Sequence, residues 1–290
     1  MSIKRILFPT DLSEPAGQAR DYAVALAKTN EAELMLYHVV VTHEHEFRQL
    51  GQLLSAYLKT LEKDAEERLS RDVKALSDEG VQARWVVRSA ADAYRGIMEE
   101  VESYRPEIIV MATHGAKGVA HWFMGSVAEK VVRHADCPVM TVRPRLNGSP
   151  IQPIQRVLAP VDFSDSSKRA VAVAREVSGD HAELVLLHVV INPAFAGVHP
   201  GELVRIFEID PELPARIRAR MQAWMEGQAF EAEVRESEDI ASVVLDVAKQ
   251  RRAGMIAMGT RGLTGAKYFL LGSVAEKVVR ASTIPVLTVK

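Results

Sequence analysis

The chain is poor in cysteine, in long apolar runs and in charge of one sign. Cys137 is the only thiol in 290 residues, which excludes an internal disulfide and any cysteine-cluster metal site. It lies in the apolar run Cys137-Pro138-Val139-Met140 and reads as a buried, inert thiol. No stretch reaches the roughly 18 apolar residues that span a bilayer. Met1-Ser2-Ile3-Lys4-Arg5 leads into a strand-like run without a signal-peptide pattern, so a cytoplasmic protein with no membrane partner is expected. Lys and Arg number 36 against 38 Asp and Glu, a formal net charge of −2. Without a Lys/Arg-rich block, no nucleic-acid partner is expected. The Walker lysine loop and His-Glu-x-x-His are also missing. His43 and His45 flank Glu44, but i and i+2 do not share a helix face, so no metal site is read there.

What is present has the composition of a globular protein, 48% hydrophobic and 26% charged. At roughly 150 residues per domain the length suggests two domains, and the sequence repeats itself accordingly. Arg5-Ile6-Leu7-Phe8-Pro9-Thr10-Asp11-Leu12-Ser13 returns as Arg156-Val157-Leu158-Ala159-Pro160-Val161-Asp162-Phe163-Ser164. Glu33–Val40 returns as Glu183–Val190, and Gly125–Arg133 is identical to Gly272–Arg280. Each half closes on a Pro-led strand, Pro138–Val142 and Pro285–Val289. The joint, Arg143 to Pro153, is rich in Pro, Gly, Asn and Ser and reads as a linker. The expected domains are 1–145 and 152–290.

Within the first half, the apolar runs Ile6–Phe8, Leu34–Val41, Val81–Val87, Ile108–Met111 and Val139–Val142 read as buried strands. Glu14–Lys28, Phe47–Glu79, Ala91–Tyr104 and Val127–His134 read as helices, the second stopped by Gly80. Such alternation predicts an α/β fold: in each half an open, doubly wound parallel sheet of five strands, covered by helices on both faces. The second half departs after Val190. Ile191 to Pro214, with four prolines, reads as a loop with at most a short helical piece, followed by a helix from Pro214 to Gly227.

The sharpest pattern is Gly259-Thr260-Arg261-Gly262, nine residues, then Gly272-Ser273. Glycines bring backbone N–H groups close to a ligand, and a helix N-terminus attracts phosphate. The first half carries Ala112-Thr113-His114-Gly115, nine residues, then Gly125-Ser126, the same pattern with its first glycine lost. In doubly wound sheets ligands sit beyond the strand carboxyl ends where strand order reverses. Asp162 follows the first strand of the second half and Gly259 the fourth, so both face one crevice; Asp11 and Ala112 do the same in the first half. A ligand-free account stands beside this. Ser273-x-x-Glu276 and Ser126-x-x-Glu129 have the spacing of a capping box, and Asp162 reads equally as a turn residue before the next helix.

Order, spacing and domain length of these motifs resemble the universal stress protein family, and specifically a tandem protein with two such domains. The resemblance implies a Rossmann-like sheet of strand order 3-2-1-4-5 in each half, related as a pseudo-twofold repeat. It implies that ATP, with Mg2+, binds in the second half, whose pattern is that of the family's ATP-binding branch. Pro160, Val161, Asp162 and the backbone near Val190 would flank the adenosine. Gly259 and Gly262 would approach the ribose and phosphates, and Gly272, Ser273 and the Val274 N–H would hold phosphate oxygens. Arg261 and Lys267 are candidates for added charge there. In the first half Asp11, Gly115, Gly125 and Ser126 survive, but Ala112 departs. If that position needs left-handed angles, a Cβ costs about 1–2 kcal/mol, about five- to thirty-fold in affinity; if it is ordinary strand, alanine acts only by crowding. Weak or absent ATP binding is expected there. The resemblance further implies pairing of the two halves through their fifth strands and leaves homodimerisation and the protein partners open. The expected role is nucleotide-dependent stress signalling rather than catalysis, with slow ATP hydrolysis or self-phosphorylation and a nucleotide-free scaffold as the alternatives.

Overall fold

The structure is a computed structural model that describes residues 3–42, 44–113, 124–144, 151, 153–179, 181–192, 205–260 and 271–290, with backbone alone at 15 and 44–54. It divides into two compact units, Met1–Ile151 and Gln152–Lys290.

In the first unit the strands are β1 (Arg5–Pro9), β2 (Glu33–Val41), β3 (Ala83–Ala90), β4 (Ile108–Ala112) and β5 (Val139–Val142). They alternate with α1 (Glu14–Asn30), α2 (Glu44–Asp78), α3 (Ala93–Tyr104) and α4 (Ser126–His134). The strands run parallel in the order β3-β2-β1-β4-β5. Right-handed crossovers then put α1 and α2 on one face and α3 and α4 on the other. Ile6, Leu7, Phe8, Leu34, Met35, Ile108 and Ile109 are buried on both sides of the sheet, each stabilising the fold by about 1.5–3 kcal/mol. The helical repeat of α2 buries Leu58, Ala65, Leu69 and Leu76, while Leu61 stays exposed. The helix ends as its sequence predicts: Gly80 takes φ +80°, and Val81 N–H reaches back to Leu76 O at 2.9 Å. Cys137 is half-buried in the turn before β5, a correction to the fully buried reading, because the apolar run around it begins its strand only at Val139.

The second unit repeats this with β6 (Arg156–Pro160), α5 (Asp165–Ser178), β7 (Glu183–Ile191), β8 (Glu231–Ser237), α8 (Ile240–Gln250), β9 (Met255–Gly259), α9 (Ser273–Ala281) and β10 (Val286–Val289). Its strand order is β8-β7-β6-β9-β10. Where the first unit has the 35-residue α2, the described residues of the second form a four-residue α6 (Ile206–Ile209) and α7 (Leu213–Trp224). Pro211 stands in the turn between α6 and α7; residues 193–204 lie outside the described part.

At the amino ends of the strands each unit is tied by charge. Arg5 Nη2 meets Glu107 Oε1 at 2.7 Å, and Arg5 N–H donates to Glu107 Oε2 at 2.6 Å. Burial alone would push the Glu107 carboxyl up, but the hydrogen bonds and charge of Arg5 hold it below its ordinary value. In the second unit Arg156 pairs with Glu183 and donates to the Arg251 carbonyl, while Arg251 pairs with the buried Glu233. These ends are fastened, which leaves the carboxyl ends as the place where loops can shape a site.

Candidate functional site

Strand order reverses between β6 and β9, which pair directly through Val157↔Met255 and Leu158↔Ile256. Their carboxyl ends lead into Asp162 and Gly259. Val161 N–H donates to Leu187 O at 2.8 Å, and its carbonyl accepts from His188 Nδ1 at 2.7 Å. A carbonyl only accepts, so this histidine carries its proton on Nδ1. The next bend is made by Phe163 at φ 66°, a left-handed angle that is unusual for a bulky side chain. It turns the chain so that Asp162 Oδ1 gathers three donors: Ser164 N–H at 3.0 Å, Ser164 Oγ at 2.5 Å and Ser167 Oγ at 2.6 Å. Ser164 also caps α5 by accepting from Ser167 N–H at 3.2 Å. Asp162 thus has a structural task, fixing the turn against the first coil of α5.

The first unit has a sparser version. Leu12 takes the same left-handed bend at φ 61°, and Asp11 Oδ1 accepts from Ser13 N–H at 3.1 Å and Ser13 Oγ at 2.5 Å. Ala16 stands where the second unit has Ser167, so that third hydroxyl is lost, and Ser13 makes no side-chain cap on α1.

Gly259 is explained by close packing. A Cβ built on it would meet Ser166 Oγ at 2.6 Å and Ser166 C and Cβ at 3.0 Å, so α5 lies against the bare backbone of β9. Its counterpart Ala112 ends β4 as ordinary strand and is not among the left-handed residues. The strain explanation for a damaged first site therefore falls away, and only crowding by the alanine methyl is left. Arg261, Gly262 and Lys267, and in the first unit His114, Gly115 and His121, lie outside the described residues, as does His43.

On either side of the 261–270 span, Gly272 N–H donates to Thr260 O at 2.9 Å, and a Cβ on Gly272 would stand 3.0 Å from that oxygen. Gly125 and Thr113 repeat this at 2.8 Å and 3.1 Å. These glycines are the N-caps of α9 and α4, and neither helix has a side-chain cap. This corrects the capping-box reading. Ser273 and Ser126 sit one position inside their helices, past the cap. Glu276 and Glu129 turn instead to Arg280 and Arg133, at 2.9 Å and 3.0 Å. The first N–H groups of α9 keep the partial positive charge of an uncapped helix end, with Ser273 exposed and Val274 half-buried beside them.

Contacts therefore run unbroken from Asp162 through Ser167 and Ser166 to Gly259, Thr260 and Gly272. Val190 lies near the carboxyl end of β7, half-buried, opposite Glu236 of β8. The sequence reading passed over Thr260 and the serines of α5. Thr260 is 5% exposed, and among the described residues its buried Oγ1 has no hydrogen-bond partner, an expensive state for a hydroxyl. A signal existed: the second half reads Ser164-Asp165-Ser166-Ser167 where the first has Ser13-Glu14-Pro15-Ala16. Among the described residues no three His, Cys, Asp or Glu side chains could hold a metal ion together, and no helix is long and apolar enough to cross a membrane.

Comparison with known proteins places this geometry in context. The family profile described as "Universal stress protein family" matches residues 2–143 and again 153–290. A universal stress protein of Methanocaldococcus jannaschii is 32% identical over 145 residues, 48% of this chain and 82% of that protein. One from Synechocystis is 25% identical over 154 residues, 49% of this chain and 99% of that protein. A universal stress protein structure from Archaeoglobus fulgidus superposes with a TM-score of 0.73 at 24% identity, covering 100% of this chain and 99% of the other. At that identity it speaks for the fold alone.

Proposed function

The chain belongs to the universal stress protein family, as a tandem of two such domains, and from that premise we propose that its second unit binds an adenine nucleotide, ATP with Mg2+. The observation that carries this reading is the start of α9. An uncapped helix end, opened by a glycine whose N–H donates to the Thr260 carbonyl, is linked through Thr260, Gly259 and Ser166 to the Asp162 turn across the strand-order reversal. Phosphate oxygens suit such an end. Gly272, Ser273 and the Val274 N–H would hold them; Gly259 and the Thr260 hydroxyl lie next along the crevice. Asp162, Pro160, Val161 and the Val190 backbone would take the adenosine side, and Gly262 and Arg261 belong to the same pattern. The bound nucleotide acts as a signal: it sets the conformation of the carboxyl-end loops and so the choice of a protein partner in a stress response. No chemical step is assigned to it.

The test is a titration of the full chain with a fluorescent ATP analogue, wild type against Gly272→Val. The valine side chain meets the Thr260 carbonyl where the phosphates would sit. Affinity falls by at least about tenfold, the worth of one charge-assisted hydrogen bond; unchanged affinity would sink the site. Phosphate release, followed over hours at stoichiometric protein, remains at background if signalling is the role. Steady turnover that Gly272→Val removes would make it an ATPase.

A further inference from the structure

A cleft of about 370 Å³ opens in the first unit between α1 and α2. Phe8, Leu12 and Leu36 give it an apolar floor, and Arg20, Arg68 and Arg71 stand at its rim. Thr10, Leu12 and Ser13 of the Asp11 turn line it, whereas Asp11, Ala112, Gly125 and Ser126 do not, so it adjoins the crevice at the strand-order reversal on the side of α1 and α2.

The charges do not cancel. Arg20 is taken up by Asp72, Nη1 to Oδ1 at 3.2 Å. Arg71 Nε donates to the Glu67 carbonyl at 3.1 Å, and neither Arg68 nor Arg71 forms an ion pair among the described residues. The remaining acid at the cleft is Glu14, in the first turn of α1, where a helix N-terminus favours negative charge. Two unpaired guanidinium groups therefore face one carboxylate.

The second unit indicates what belongs there. Phe163 occupies the position of Leu12, at the same left-handed bend. Over its ring lies the Arg220 guanidinium of α7, 4.0 Å from the centroid. Trp224 meets the Phe163 ring edge-on at 6.0 Å, and the His188 ring lies tilted against it at 4.9 Å. The second unit thus fills this place with its own aromatic ring beneath an arginine. The first unit offers arginines from α2, which lies between β2 and β3 as α7 lies between β7 and β8, a leucine in place of the ring, and Gly17 in place of Lys168, with nothing within 4 Å of where a Cβ would be.

We propose that the cleft binds a small planar anion, an aromatic carboxylate. Its ring would lie on Leu12, Phe8 and Leu36, and its carboxylate in the fork of Arg68 and Arg71. Guanidinium groups both stack on aromatic faces and pair with carboxylates in two-point geometry. The volume lies at the small end of ligand pockets, which run from about 300 to 1,000 Å³, so a body of one or two fused rings fits better than a nucleoside triphosphate. This assignment is independent of nucleotide binding in the second unit.

The test uses the full chain and two probes, naphthalene-2-carboxylate and the uncharged naphthalene-2-carboxamide, by calorimetry and saturation-transfer NMR with and without excess ATP. The carboxylate binds once per chain, unaffected by ATP, and the amide binds at least about tenfold more weakly. Arg68→Ser with Arg71→Ser, both exposed on α2, lowers carboxylate affinity by at least about tenfold. Leu12→Phe, which imitates the second unit, abolishes binding while the far-ultraviolet dichroism stays native. Equal binding of acid and amide, retention in either variant, displacement by ATP, or no binding at millimolar probe would each overturn the proposal.

Discussion

Gly259 has a packing duty beside its place in the glycine pattern. In the sequence it is the first glycine of a phosphate-binding pattern. In the structure its bareness is demanded by Ser166, whose atoms come within 3.0 Å of any Cβ built there. Gly259→Ala therefore costs about 1–3 kcal/mol by overpacking, seen as a lower unfolding midpoint of the apo protein. The converse change, Ala112→Gly, costs only about 0.5–1 kcal/mol, from backbone entropy in a strand. A midpoint untouched by Gly259→Ala would refute the packing account. Thr260 was invisible for a related reason: a threonine after a strand is unremarkable until its hydroxyl is found buried, without a partner among the described residues.

At the scale of elements the sequence was most legible where burial dictates pattern. The apolar runs became strands, with β5 at the expected Val139–Val142, and the three- and four-residue spacing became α2. Helix starts were legible only in part, because a cap depends on one dihedral that composition does not reveal. Ser164 and Ser273 both precede helical sequence, yet Ser164 is a cap, bonded to Ser167 N–H, and Ser273 is the first helical residue. Two unfolding measurements separate them. Ser164→Ala costs about 1 kcal/mol, with the Asp162 turn loosened as well. Ser273→Ala changes stability by no more than about 0.5 kcal/mol while weakening nucleotide binding. Equal destabilisation by both would restore the capping box. The left-handed bends at Leu12 and Phe163 were not legible at all, since neither residue type favours φ near +60°. They are imposed by the turns around Asp11 and Asp162.

Across the whole chain, two copies of one unit share a frame and differ in the residues at its strand carboxyl ends. The frame is fastened at the strand amino ends, and there its pH dependence can be predicted. The Glu107 carboxyl is held below its ordinary value of 4.5 in the folded state. Its contribution is thus fully present above that value and is lost as pH falls through the lowered one. Glu107→Gln removes about 1–2 kcal/mol at neutral pH and flattens the decline of stability below about pH 4.5, measured by urea unfolding across pH. Parallel curves for wild type and variant would exclude Glu107 as a source of acid sensitivity.

The copies also differ at the strand carboxyl ends. The second unit has Gly259, the serines of α5 and Phe163 under Arg220, whereas the first has Ala112, Ala16 and Leu12 beside an open cleft. With this asymmetry the chain has one nucleotide site, and a calorimetric titration with Mg-ATP, after bound nucleotide has been stripped, counts it. One site per chain is expected, lost in Gly262→Val and kept in Ala112→Val. Two equal sites, or no binding and no retained nucleotide, would contradict it.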